Sequence, residues 1–125
     1  METRELQLVT FEQAKRLREL GFDYGAYHWY RTTSQLHQSV LKNHNSDINF
    51  CYSAPSIALA LKWFRDEKKM YIDGGFYVPD KKYRFFYGEQ KNILTEKRTD
   101  VFDTYEQAKS ALLDDLLTIL ESLQV

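Results

Sequence analysis

The sequence specifies an α+β fold in one domain spanning residues 1–125, with three helices and a mostly antiparallel, twisted sheet of three to five strands. Three observations predict it. Two capping boxes, Thr10 with Gln13 and Thr104 with Gln107, open amphipathic stretches near either end of the chain. Between them, Ile57, Ala60, Leu61 and Phe64 recur at helical spacing behind Ser53-Ala54-Pro55. The remaining segments are rich in Tyr, Phe and Trp alternating with polar residues, the composition of half-buried strands. A two-layer arrangement follows, in which the central and C-terminal helices pack on one face of the sheet and the other face is left for a partner.

The first helix runs from the Thr10 cap to Gly21, which supplies the left-handed residue that ends a helix, so that Phe22 folds back on Leu17. Val9 is placed to staple onto Ala14, while Arg16, Arg18 and Glu19 point to solvent. Ala26 to Thr32 reads as a strand with Tyr27 and Trp29 on one side and His28 and Tyr30 on the other. Residues 33–50 fit two readings: Leu36, Val40 and Leu41 suit a short helix, and the flanking Thr, Ser and Gln suit a strand. Asn43 to Asp47 is a loop on either reading, and Ile48 to Tyr52 leads into the central helix as a short extended piece.

The central helix is the most apolar of the three. Pro55 fits the first helical position, where its missing N–H is no loss, and Ser53 or Ala54 is then the cap. Ile57, Ala60, Leu61 and Phe64 form the core side, flanked by Leu59 and Trp63, with Lys62, Arg65, Asp66 and Lys69 opposite. This apolar side is expected to be hidden beneath the sheet. Met70 to Val78 alternates as a strand, turns at Pro79-Asp80-Lys81-Lys82 and returns as Tyr83 to Tyr87. A turn at Asp73-Gly74-Gly75 competes, but the first reading gives strands of equal length and leaves the glycines as a bulge or a close contact. Ile93–Thr95 and Arg98–Phe102 supply one more strand. In the last helix Tyr105, Ala108, Leu112, Leu116, Ile119 and Leu123 mark an apolar side widened by Leu113, Leu117 and Leu120, broad enough to bury against more than one element or a second subunit. Asp114, Asp115 and Glu121 are expected in solvent.

Composition excludes several classes of function. Hydrophobic content is 43% and net charge −1, which implies neither disorder nor a polyelectrolyte partner. Charge is uneven: residues 62–98 carry ten Lys/Arg against six Asp/Glu, and residues 99–125 one against six, so adjacent elements partly neutralise each other. The single cysteine, Cys51, excludes an internal disulfide and suits a reducing compartment. No stretch approaches a membrane span and Met1 to Val9 has no signal-peptide pattern, so a cytoplasmic setting without membrane contact is expected.

Chemical motifs are sparse. His37, His44 and Cys51 are spaced seven apart with Asp47 among them, yet no short paired ligand spacing closes a zinc site. Cys51 activated by His44 or His28 would make a nucleophile, whereas a small thiol beside Tyr52 is the ordinary role of such a residue. Asp66-Glu67 and Asp114-Asp115 are sequence neighbours on helices, so their side chains diverge and cannot flank one bond. No catalytic, cofactor-binding or metal-ligating residue is assigned, and no cofactor is called for. The surface that suggests a partner is aromatic and basic: Tyr27, Trp29, Lys81, Lys82, Arg84 and Phe86, where unpaired bases could stack.

The repeated opening Thr10-Phe11-Glu12-Gln13-Ala14 and Thr104-Tyr105-Glu106-Gln107-Ala108, with Leu20-Gly21-Phe22, Ser53-Ala54-Pro55 and Lys62-Trp63-Phe64-Arg65, resembles a group of small uncharacterised proteins from bacterial prophages and mobile elements. The resemblance covers about half the chain and implies no established activity. The two openings themselves are the same solution to starting a helix, since nothing after them matches. The expected function is therefore a non-enzymatic mobile-element protein acting through protein–protein contacts, self-association into a homodimer being one form. The alternative is a single-stranded nucleic-acid-associated protein using the hairpin 70–88.

Overall fold

The computed structural model of the chain describes residues 7–32, 34–46, 51–77 and 81–123. Three helices, α1 (Phe11–Glu19), α2 (Ile57–Glu67) and α3 (Tyr105–Leu123), accompany six strands: β1 (Ala26–Tyr30), β2 (Leu36–Lys42), β3 (Tyr52–Ser53), β4 (Met70–Tyr77), β5 (Lys82–Glu89) and β6 (Asn92–Arg98). All strand pairs are antiparallel. The strands are shared between two sheets of order β2-β1-β3 and β4-β5-β6, where the sequence suggested a single one. The α+β class is as expected. In chain order α2 stands between the two sheets, after β3 and before β4.

The helices are set by their ends. Thr10 and Gln13 exchange both capping bonds, at 3.1 and 2.9 Å, and Thr104 and Gln107 do the same at 3.1 and 3.3 Å. At the far end of α1, Phe22 N–H donates to the Leu17 carbonyl and Gly21 N–H to that of Arg18, with Gly21 at φ +95°. That is the paired Schellman closure read from the sequence. The start of α2 differs from expectation. Ser56, not Ser53 or Ala54, is the cap and accepts from Leu59 N–H, so Pro55 lies outside the helix. Pro55 is fully buried and its carbonyl accepts from Val9 N–H, while Ile57 N–H donates to Gln7. The proline thus serves an extended pairing with residues 7–9, and the serine after it is the better cap.

One contiguous core joins all layers. Ile57, Ala60, Leu61 and Phe64 are buried, as expected of that side of α2, and Trp63 is 2% exposed with Phe22 and Phe64 edge-on at 5.5 and 5.2 Å. Phe85 and Tyr87 of β5 and Leu112, Leu113, Leu116 and Leu117 of α3 complete it. The broad stripe of α3 is used against α1, α2, β4 and β5 together. Arg16, Asp115 and Glu121, all expected in solvent, serve as bridges instead. The Arg16 guanidinium grips Glu121 with two bonds of 2.8 and 2.7 Å, tying α1 to α3, and Asp115 accepts from the Tyr87 hydroxyl at 3.1 Å.

Residues 36–42 form a strand, resolving the two readings of 33–50. The hairpin of β4 and β5 pairs in continuous register from Met70↔Glu89 to Tyr77↔Lys82, so the chain does not turn at Asp73-Gly74-Gly75. The expected turn at 79–82 and the extended piece at 48–52 each fall partly outside the described residues.

Candidate functional site

The six side chains singled out from the sequence lie on two different sheets. Tyr27 and Trp29 belong to β1; Lys82, Arg84 and Phe86 belong to β5, with Lys81 just before it. On β5, Tyr83, Phe85 and Tyr87 turn toward the helices, so Lys82, Arg84 and Phe86 alternate onto the outer face. There the cations already have protein partners: Lys82 Nζ pairs with Asp103 at 2.5 Å and Arg84 Nε donates to the Thr99 carbonyl at 3.1 Å. Tyr71 on the neighbouring strand donates to Glu96 at 2.7 Å. Phe86 stands opposite Asp73 on one side and Arg98 on the other, so this face is charge-balanced.

The histidines are brought together only in part. Trp29 stacks on its cross-strand partner His37 at 4.4 Å and lies 6.1 Å from His44. His44 is buried with Nε2 2.9 Å from the Ala26 carbonyl; because a carbonyl can only accept, that nitrogen carries the proton. The His44 N–H donates to Ser53 Oγ, and Asn45 bridges Phe22 O and Ser53 N–H, which locks this short turn onto the first sheet. Cys51 presents its carbonyl to the Arg18 guanidinium, which also lies 5.4 Å over the Tyr52 ring. Among the described residues, no three His, Cys, Asp or Glu side chains are grouped to hold a metal ion.

The feature best suited to holding a partner is a groove of about 590 Å³ between the β1–β2 hairpin and the start of α2. Leu8, Ala54, Pro55 and Leu59 form one wall; Ala26, Tyr27, His28, Gln38 and Leu41 form the other. Among the described residues, no Asp, Glu, Lys or Arg lines it. Its shape follows from two local irregularities. The β1–β2 register slips between Ala26 and His28, where Ala26 faces Lys42 and His28 faces Gln38, so β2 spends extra residues on a bulge that aims Leu41 at the groove mouth. Gly25 accommodates it, since a Cβ there would stand 3.3 Å from Leu41.

The same hairpin concentrates exposed apolar surface. Tyr27, Leu36, Val40 and Leu41 are 56, 44, 70 and 55% exposed, and they account for most of the large apolar side chains left uncovered among the described residues. Tyr27 was legible from the sequence as an aromatic strand residue. His28, Gln38, Leu41, Pro55 and Leu59 were not, because the groove gathers them from separate segments and no local pattern marks them as one surface.

No family model, curated protein or solved structure matches the chain. Among the described residues, no helix is long and apolar enough to cross a membrane.

Proposed function

We propose that this chain is a non-enzymatic, cytoplasmic protein that works by holding another polypeptide at the β1–β2 groove, the occupant being an uncharged extended segment that inserts one large apolar side chain. The observation that carries the reading is a groove lined by the exposed Tyr27 and Leu41 with no Asp, Glu, Lys or Arg among its described lining residues, on a hairpin that also leaves Leu36 and Val40 exposed. Monomeric proteins seldom leave such a patch uncovered, and a neutral wall offers a charged segment nothing to offset its desolvation. Service to a mobile element is the setting that the sequence resemblance suggests. Nucleic acid is the less favoured occupant, since Lys82 and Arg84 already have protein partners and the β1–β2 strands carry a single formal charge, Lys42.

A peptide array of extended heptamers tests this. Selected peptides should be uncharged around one Leu, Phe or Trp, and binding should be lost in Leu41→Glu yet kept when Lys82 and Arg84 are both changed to Glu. A dimer in light scattering that Leu41→Glu disperses would identify the occupant as a second copy. Salt-sensitive binding of a labelled single-stranded oligonucleotide, abolished by the Lys82/Arg84 pair and untouched by Leu41→Glu, would overturn the proposal.

A further inference from the structure

A separate cleft of about 310 Å³ opens where α2, α3 and the β4–β5 hairpin meet. Its apolar wall is Phe85 and Tyr105, whose rings stand 5.7 Å apart at 44°. The aromatic run continues outward from Tyr105 to Tyr83 and on to Phe76 at 5.8 and 5.4 Å. Gly74 is the cross-strand partner of Phe85 and adds no side chain over that ring, which is buried at 6% exposure and reaches the cleft only by its margin. The glycine is obligatory there: its φ is +121°, and a Cβ would lie 2.5 Å from the Arg84 carbonyl oxygen.

Two cations from different helices line the same cleft: Arg65 from the last turn of α2, and Lys109, whose Nζ sits 4.8 Å over the Tyr105 ring. Among the described residues neither is in an ion pair, whereas Lys15, Arg16, Lys62 and Lys82 each meet a carboxylate. Asp73 is the one acid among the described lining residues, and its Oδ1 accepts from Gly74 N–H at 2.7 Å.

We propose that this cleft binds a small aromatic anion, its ring against Tyr105 and the accessible margin of Phe85 and its carboxylate or phosphate between Arg65 and Lys109. The ring requirement comes from two aromatic side chains set at an angle that accepts a third edge or face. The anion requirement comes from two cations that are in no ion pair among the described residues, Asp66 acting on Arg65 only through space, and one of them is a planar guanidinium suited to a two-oxygen acceptor. The volume sits at the lower end of the roughly 300–1,000 Å³ of ligand sites, which sets the size class.

Calorimetric and amide-shift titrations of the whole chain with phenylacetate, phenyl phosphate, phenylacetamide, acetate and inorganic phosphate test the proposal. Saturable one-to-one binding of phenylacetate or phenyl phosphate is expected, with shifts at Tyr105 and Lys109; the tighter of the two names the anion. Phenylacetamide and the ring-less anions should bind about tenfold more weakly or worse, and Lys109→Met and Arg65→Gln should each weaken binding by about tenfold, the size expected for one charge-assisted hydrogen bond. Melting curves matching the parent separate this loss from misfolding. The proposal is overturned if neither aromatic anion saturates, if phenylacetamide or inorganic phosphate binds as tightly as its partner, or if Lys109→Met and Arg65→Gln bind like the parent.

Discussion

At the scale of single residues, two positions decide whether the domain stands. Trp63 is enclosed by Phe22 and Phe64, with Lys68 Nζ 5.1 Å over its ring. Its truncation in Trp63→Ala leaves a cavity that these rigid neighbours cannot fill. The expected loss is about 3 to 5 kcal/mol in urea unfolding, a large part of the roughly 5 to 15 kcal/mol that holds a typical domain. A variant that melts like the parent would show the indole is not in the core. Gly74 is the backbone counterpart. Gly74→Ala must move either its own φ of +121° or the Arg84 carbonyl 2.5 Å from the new Cβ. Strain of about 1 to 3 kcal/mol is expected, with faster amide exchange confined to β4 and β5; unchanged exchange there would count against the close approach. The burial of Trp63 and the close contact at Gly74 are legible in the sequence, whereas the cap of α2 is not. Ser53 and Ser56 offer the same hydroxyl, and only the pairing of Pro55 with Val9 chooses between them.

Between elements, α3 carries opposite pH dependences at its joints with α1 and with β5. The bond from Arg16 holds the Glu121 carboxyl below its ordinary value of 4.5. A depressed folded value means that this contribution is present above pH 4.5 and is lost as pH falls through the lower folded value. Burial pushes Asp115 the other way, above its ordinary 3.8, although the bond from Tyr87 partly offsets it. Its contribution is complete below pH 3.8 and is lost as pH rises through the raised folded value. Glu121→Gln should therefore lower stability at pH 7 by less than about 1 kcal/mol, as for a partly exposed ion pair, and flatten the acid limb of the stability curve. Asp115→Asn keeps an acceptor for Tyr87 and should be neutral or stabilising at pH 7. Denaturant midpoints from pH 2 to pH 7 check both, and an unchanged acid limb in Glu121→Gln would refute the coupling. Neither bridge was visible beforehand, since Arg16 and Glu121 are distant in sequence and look like solvated helix charges. The helices themselves were legible because caps and apolar periodicity are local.

Across the whole molecule, what the sequence left open was the partition of strands. Period-two alternation says which residues share a face but not which strand lies alongside, and Tyr and Phe are common to both sheets. Residues 36–42 were ambiguous for a related reason: Leu36, Val40 and Leu41 are exposed, so they carry no core pattern to read. That exposure also orders the molecule energetically. β5 lies at the centre of its sheet, sends Phe85 and Tyr87 into the core and is covered by α3. β2 is an edge strand with a bulge, and its exposed side chains place little on the core. Native-state hydrogen exchange should therefore show Phe85 and Tyr87 amides opening only with global unfolding, while β2 amides open locally at much lower free energy. An apolar peptide filling the β1–β2 groove would raise protection in β2 and leave β5 at its global limit, because a ligand slows local opening only where it binds the closed form. Equal protection of β2 and β5 in the free protein would mean the hairpin is already covered, by a second copy or otherwise, and the groove would then be part of an interface that persists in solution.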